Sequence, residues 1–343
     1  MIHFECDYAC GAHPAVLKAL VETNEEQHCG YSEDDRCAAA AGLIRELCHC
    51  PDAAVHFVAG GTQANLLVID AGLRPFEGVL CADTGHINVH ETGAVEATGH
   101  KVLPLPSKDG KISAAQVEEA VLLQRNDSSH EHIVRPAMVY ISHPTEIGTL
   151  YTRDEMAALS ETCHRLGLTL FVDGARLGYG LAADATVDLP FLAKVCDAFT
   201  IGGTKVGLLF GEAIVITGEA YREFFRYRIK QRGAMLAKGR LLGVQFETLL
   251  KDNLYVEASR KANRQAQQIK QAFVAKGFPL FCDTLANQIF IVLPDRAVRA
   301  LEEQFVITVW GKVDEQHTAV RLVTSVCTRD GDVEALFSCI AAL

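Results

Sequence analysis

The chain has 343 residues, 49% of them apolar, and a formal charge of −11. That length predicts one large domain plus a smaller one, and the apolar content without long charge runs excludes a disordered chain. The acidic balance argues against a nucleic-acid partner, which needs a basic surface, but leaves room for small anions where local geometry gathers cations.

The opening Met1-Ile-His-Phe-Glu-Cys-Asp7 lacks the basic and apolar regions of a secretory signal. No apolar run reaches the ~18 residues of a membrane span, so no membrane partner is expected. The twelve cysteines are scattered rather than framed, and they read as reduced thiols in a cytoplasmic setting. The tight cluster Cys48-His49-Cys50 lacks a second pair at zinc spacing and reads as helix-end packing, so no metal site is expected.

In chain order, Pro14–Glu25 has helical periodicity, with Val16, Leu17, Leu20 and Val21 on one face. Ser32 is the expected cap of a helix over Arg36–Cys48. A short apolar strand at Val55–Ala59 leads through Gly60-Gly61-Thr62 into a helical run at Leu66–Leu73. A strand, a small-residue turn and a helix point free backbone N–H groups at an anion, with Thr62 adding a hydroxyl. A strand at Gly78–Ala82 delivers His86, whose ring could stack on a planar ligand, in the polar stretch Gly85–Gly93. Ser113 and Gln116 form a capping-box pattern, and Thr152 caps a helix that Gly167 ends. The strand Ala137–Ser142 closes in His143-Pro-Thr-Glu146.

The strand Leu168–Val172 delivers Asp173 and Arg176. A carboxylate buried there needs a cation, either a protonated ring nitrogen or Arg176 itself. The strand Ala198–Ile201 runs into Gly202-Gly-Thr-Lys205. Apolar neighbours would lower the pKa of Lys205 and make available the neutral amine that Schiff-base chemistry requires. Glu212–Thr217 completes the sheet.

Alternating strands and helices predict an α/β domain with a mostly parallel sheet, whose ligands bind beyond the carboxyl ends of the strands. Gly61, Thr62, His86, the 143–148 turn, Asp173, Arg176 and Lys205 all fall at such ends. Residues 1–245 are expected to form this large domain, and 246–343 a smaller α+β domain. Arg321 there sits on an apolar strand, where a lone cation is costly unless it meets an anion. A Schiff-base lysine, a ring-nitrogen carboxylate, an anion turn, a stacking imidazole and carboxylate-binding arginines form the set that pyridoxal 5′-phosphate needs.

From Asp7 to about Arg329 the chain resembles the low-specificity L-threonine aldolases of the β-eliminating lyase group, in the aspartate-aminotransferase fold (fold type I). The resemblance rests on Gly61-Thr-Gln-Ala-Asn65, Gly85-His86 through Glu91-Thr-Gly93, Val172-Asp-Gly-Ala-Arg176, Gly203-Thr-Lys205 and Arg321-Leu-Val-Thr324. It implies retro-aldol cleavage of L-threonine or L-allo-threonine to glycine and acetaldehyde. It also implies that Lys205 bonds the cofactor, Asp173 holds its ring nitrogen, His86 stacks, and Gly61 and Thr62 take the phosphate. Arg176 and Arg321 would hold the substrate carboxylate, with the Cys6-Asp7 turn closing the site. Lys238 or Arg232 would reach a neighbouring subunit's phosphate in a homotetramer, a dimer of dimers with sites between subunits. For the base that takes the hydroxyl proton, the order of preference is water, His86, then His143, with Glu91 and Glu146 also in reach. The chain departs from the family pattern at Cys6, where a serine is usual, at His143-Pro-Thr-Glu146, and at the Gly-Gly-Thr-Lys turn. An eliminating lyase or transaminase-like enzyme on another small amino acid is the alternative.

Overall fold

The structure is a computed structural model that describes residues 1–343, the side chain of Ala220 excepted. Thirteen strands form three sheets. A two-residue β1 (Ile2–His3) precedes the first long strands, β2 (Ala54–Val58), β3 (Glu77–Ala82) and β4 (Lys101–Leu105). Then come β5 (Arg135–Ser142), β6 (Thr169–Asp173), β7 (Ala198–Gly202) and β8 (Glu212–Ile216). The C-terminal third supplies β9 (Leu280–Cys282), β10 (Gln288–Pro294), β11 (Phe305–Val306), β12 (Thr308–Lys312) and β13 (His317–Val323).

The central sheet runs in the order β2-β8-β7-β6-β5-β3-β4. The pairs β3–β4, β3–β5, β5–β6 and β6–β7 are parallel, and β8 lies antiparallel to both its neighbours. Helices cover both faces, so β3, β7 and β8 are buried throughout. Successive residues alternate between the two cores: Leu170 and Val172 enter one, Phe171 the other. The expected α/β architecture with a mostly parallel sheet is present, beside a smaller domain built on the antiparallel sheet β12-β13-β10-β9.

The local signals acted as their chemistry suggests. Ser113 and Thr152 both close capping boxes, with Gln116 and Glu155 respectively. Gly167 takes φ +67° after the helix Arg153–Arg165. Ser32 does not cap the next helix. Asp34 does, accepting from the Cys37 N–H at 2.8 Å, and the helix is Asp35–Leu47. Cys48 ends that helix buried in the core, as helix-end packing requires.

The division expected at 245/246 falls inside the helix Arg240–Leu250, whose Leu242, Phe246 and Leu249 belong to the large core. At the other end, β1 pairs with β11 and Phe4 lies in the small-domain core. The N-terminal segment therefore crosses from the small domain into the large one, which a linear cut could not express. The reading of all twelve cysteines as thiols also fails at one pair. Cys10 and Cys327, 317 residues apart, are bridged, because the N-terminal segment is folded back onto the end of the small domain. The other ten are free.

Candidate active site

The carboxyl ends of β2, β5, β6 and β7 surround a cavity of about 280 Å³, near the lower end of the ~300–1,000 Å³ typical of ligand pockets. Because β8 is antiparallel, its first residue, Glu212, reaches the same rim. The lining includes Gly60, Gly61, Thr62, His86, Glu146, Asp173, Arg176 and Lys205 from the expected set. Tyr8, Asn65, Ser142, Thr204 and Glu212 join them.

The backbone crowds at the sheet edge. A Cβ on Gly174 would stand 1.9 Å from the Thr200 carbonyl oxygen, and one on Gly202 would stand 2.5 Å from that of Ala175. Only glycine allows β6 and β7 to end so close together, which places Asp173 and Lys205 in one cavity. Lys205 sits on the one-turn helix Thr204–Val206, with its carbonyl bound by the Tyr179 hydroxyl at 2.6 Å. Desolvation, reinforced by the positive Arg176, lowers its pKa against the pull of Asp7, Asp173 and Glu212.

Asp173 is 5% exposed and accepts three hydrogen bonds, which leaves one of the about four acceptor sites of a carboxylate. Its Oδ2 accepts from Asn65 Nδ2 at 2.8 Å and Tyr140 Oη at 2.7 Å, and its Oδ1 from the Ala175 N–H at 2.8 Å. Arg176 does not pair with it. The guanidinium turns instead to Asp7, donating from Nε at 2.7 Å and Nη2 at 3.1 Å. Of the two partners the sequence allowed for Asp173, the arginine is thus excluded by geometry, and the carboxylate faces the cavity without a salt-bridge partner among the described residues.

The helix Gly61–Gly72 opens on Gly60 with no side-chain cap, and a Cβ on Gly60 or Gly61 would meet no atom of the chain. Uncapped N–H groups with open space before them make an anion site. His86 follows β3, its Nδ1 2.8 Å from Glu91 Oε1, while Asn65 donates to the same oxygen at 2.8 Å. Glu146 Oε1 accepts from the His86 backbone N–H at 2.8 Å and from Ser142 Oγ at 2.5 Å. Burial raises the pKa of Glu146. Residues of four stretches of chain thus close one ring of hydrogen bonds: His86, Glu91, Asn65, Asp173, Tyr140, Ser142 and Glu146.

Six expected site residues lie off the lining of this cavity. His143 is fully buried and faces Gly180, with both ring nitrogens unpartnered. Its neighbours Ser142 and Pro144 take the cavity side, and desolvation lowers the His143 pKa to about 4. Cys6 lines a separate pocket with His3, Cys10 and Cys327. Asp7 is buried and saturated by Arg176 and by Asn287, which donates at 3.0 Å, so it acts through Arg176 rather than on a ligand. Lys238 is exposed and outside the cavity, and Arg232 is held within the chain by Asp70 at 3.1 Å. Arg321 stands over the Trp310 ring and donates to the Glu5 carbonyl at 3.1 Å, with its buried Nε unpartnered.

The profile of the family described as beta-eliminating lyase matches residues 4–319. The chain belongs to the β-eliminating lyase family. It is 33% identical over 303 residues to the low specificity L-threonine aldolase of Pseudomonas aeruginosa, covering 87% of this chain and 86% of that one. It superposes on a Leishmania major threonine aldolase with a TM-score of 0.97 at 42% identity, covering 100% of this chain and 99% of that chain. An aspartate aminotransferase of Thermus thermophilus, at 14% identity and TM-score 0.71, covers 100% of this chain and 91% of that one and shares the fold. Enzymes of this family depend on pyridoxal phosphate. The residues present fit that group: an uncapped helix N-terminus for the phosphate, a buried carboxylate without a cation for the ring nitrogen, and a desolvated lysine between them.

Proposed function

We propose that this lyase cleaves the Cα–Cβ bond of L-threonine and L-allo-threonine, giving glycine and acetaldehyde. The observation that carries the reading is the unpaired, buried Asp173 in one cavity with the desolvated Lys205, opposite a carboxylate-oriented histidine, His86. Relatives named as low specificity L-threonine aldolases support it.

When bound, the cofactor supplies an electron sink for the pair released by bond cleavage. The chain's own residues do the rest. Gly61 and Thr62 bind the phosphate, and Asp173 keeps the ring nitrogen charged. Arg176, held by Asp7, takes the substrate carboxylate and fixes which bond stands in position to break. Arg321, with a free buried Nε, stands as the second cation for that carboxylate. His86 is the base for the β-hydroxyl proton. Glu91 holds its Nδ1 side and leaves Nε2 free for the proton. Glu146, its pKa raised, stands beside the same backbone as a second proton-holding group. His143 drops out of that role.

We place the protein in the cytoplasm as a dimer of dimers. No helix among the described residues is long and apolar enough to cross a membrane. The exposed Lys238 suits a contact with a neighbouring subunit's site. The test is the product set from L-threonine, L-allo-threonine and L-serine assayed side by side. Glycine with acetaldehyde from both threonines supports the reading, and pyruvate with ammonia as the main products would replace it with β-elimination.

A further inference from the structure

Glu212 is a buried carboxyl group that the reaction described above does not use. It opens β8 and is 3% exposed. In register it lies opposite Val58 on one side and Gly202 on the other. Val58 ends the strand that leads into the Gly60-Gly61-Thr62 anion turn, and Gly202 ends the strand that leads into Thr204 and Lys205. Glu212 therefore stands on the cavity wall between the anion-binding end and the lysine, and its Oε2 is buried without a partner.

The groups around it set its charge. Lys205 and Asp173 face it from the ends of β7 and β6, the Thr204 hydroxyl beside it is engaged with the Gly211 backbone, Tyr255 approaches from the helix Leu254–Ala275, and Val58 on β2 does not titrate. In the cofactor-free chain desolvation, with Asp173, already holds the Glu212 carboxyl well above the usual carboxylate range, and the Lys205 ammonium is the one cation that pulls against them. Once Lys205 is bonded to the cofactor and a phosphate occupies the anion turn, a glutamate anion would face like charge at close range in a desolvated wall. Desolvation and Asp173 then act without that opposing cation and raise the midpoint further.

We propose that Glu212 is the proton-holding residue of the cofactor site, entering the loaded enzyme as a neutral carboxylic acid that donates from Oε2 toward the anion-binding end. Above the midpoint of the cofactor-free carboxyl, the proton comes from solvent on loading and returns on release. Loading is then linked to pH through a residue that touches neither the reacting bond nor the substrate.

The inference rests on the cofactor-site reading, and the test separates the two. Cofactor-free protein is titrated with pyridoxal phosphate and with pyridoxal, which lacks the phosphate, from about pH 8 to about pH 9.5, where a phosphate with a second pKa of about 6 is fully ionised. The ratio of the two affinities cancels the titration of Lys205. In the wild type the ratio should fall as pH rises, approaching about tenfold per pH unit above the Glu212 midpoint, as one linked proton requires. Glu212→Gln, a fixed neutral donor, should flatten it. Infrared difference spectra of loaded minus cofactor-free wild type should show a protonated-carboxyl C=O band that Glu212→Gln lacks. This second measurement needs only the wild type if the variant fails to fold. A pH-independent wild-type ratio, parallel curves for the two proteins, or no protonated-carboxyl band overturns the role of Glu212 alone. A wild type that binds no pyridoxal phosphate overturns the site reading as well.

Discussion

Replacing Asp7 by Asn tests how the substrate-binding arginine is held. The Asp7 side chain is fully buried and Arg176 is only 12% exposed. Two N–H groups of Arg176 and one of Asn287 end on its oxygens at 2.7, 3.1 and 3.0 Å. Asparagine keeps the shape but removes the charge and turns an NH2 toward donors. Breaking a buried ion pair from one side costs about 3–5 kcal/mol, and the slight access of Arg176 places this variant near ~3 kcal/mol. The same guanidinium, no longer oriented, should bind the substrate carboxylate less well. One charge-assisted hydrogen bond of ~1.5–3 kcal/mol corresponds to a rise in KM of about 10- to 100-fold. Urea unfolding of cofactor-free protein and initial rates of glycine formation read the two effects. A variant with an unchanged unfolding midpoint and unchanged KM would refute the reasoning.

Asp173→Asn should lower kcat by about 10²- to 10³-fold while the protein still takes up pyridoxal phosphate, read from rates beside the visible absorption of the bound cofactor. His86→Asn and Glu91→Ala should each lower kcat by about 10²- to 10⁴-fold, and the double variant should fall little below the worse single one because the pair acts as a unit. Additive losses would separate them. Buried His143 and half-buried His56, both with pKa values lowered by desolvation to about 4, make the fold acid-sensitive. Their contribution is present above the unfolded-state value of about 6.5 and is lost as pH falls through that window toward about 4, because only the unfolded chain takes up protons there. His143→Gln should flatten part of that slope in unfolding curves and leave kcat near wild type.

The parts of the site that follow directly from strand ends were legible before any coordinates. Asp173 and Lys205 leave apolar strands at glycine-bearing turns, and the turn at Gly60-Gly61 opens a helix. Those local patterns fix both the element and the end of it that faces the cavity. What could not be read is side-chain direction within one turn. His143 and Glu146 both follow β5, yet one is packed against Gly180 and the other points at the cavity. Asp7 likewise looked like a ligand-binding acid, but its partner Arg176 is 169 residues away and pairing at that distance leaves no local trace. Glu212 did leave a signal, a lone carboxylate opening an otherwise apolar strand. Its meaning depended on β8 running antiparallel, because only that direction brings its first residue to the cavity. The domain division failed for a related reason: the N-terminal strand pairs with β11, a non-local contact that hydrophobic periodicity does not report.

The central claim is that Lys205 is the residue that bonds the cofactor in this cavity, and peptide mapping tests it most directly. Purified protein loaded with pyridoxal phosphate is reduced with borohydride, digested and analysed by mass spectrometry. The visible absorption band should disappear, and one pyridoxyl group should appear on the peptide containing Lys205. A pyridoxyl group on another lysine, or a protein that takes up no cofactor, would contradict it.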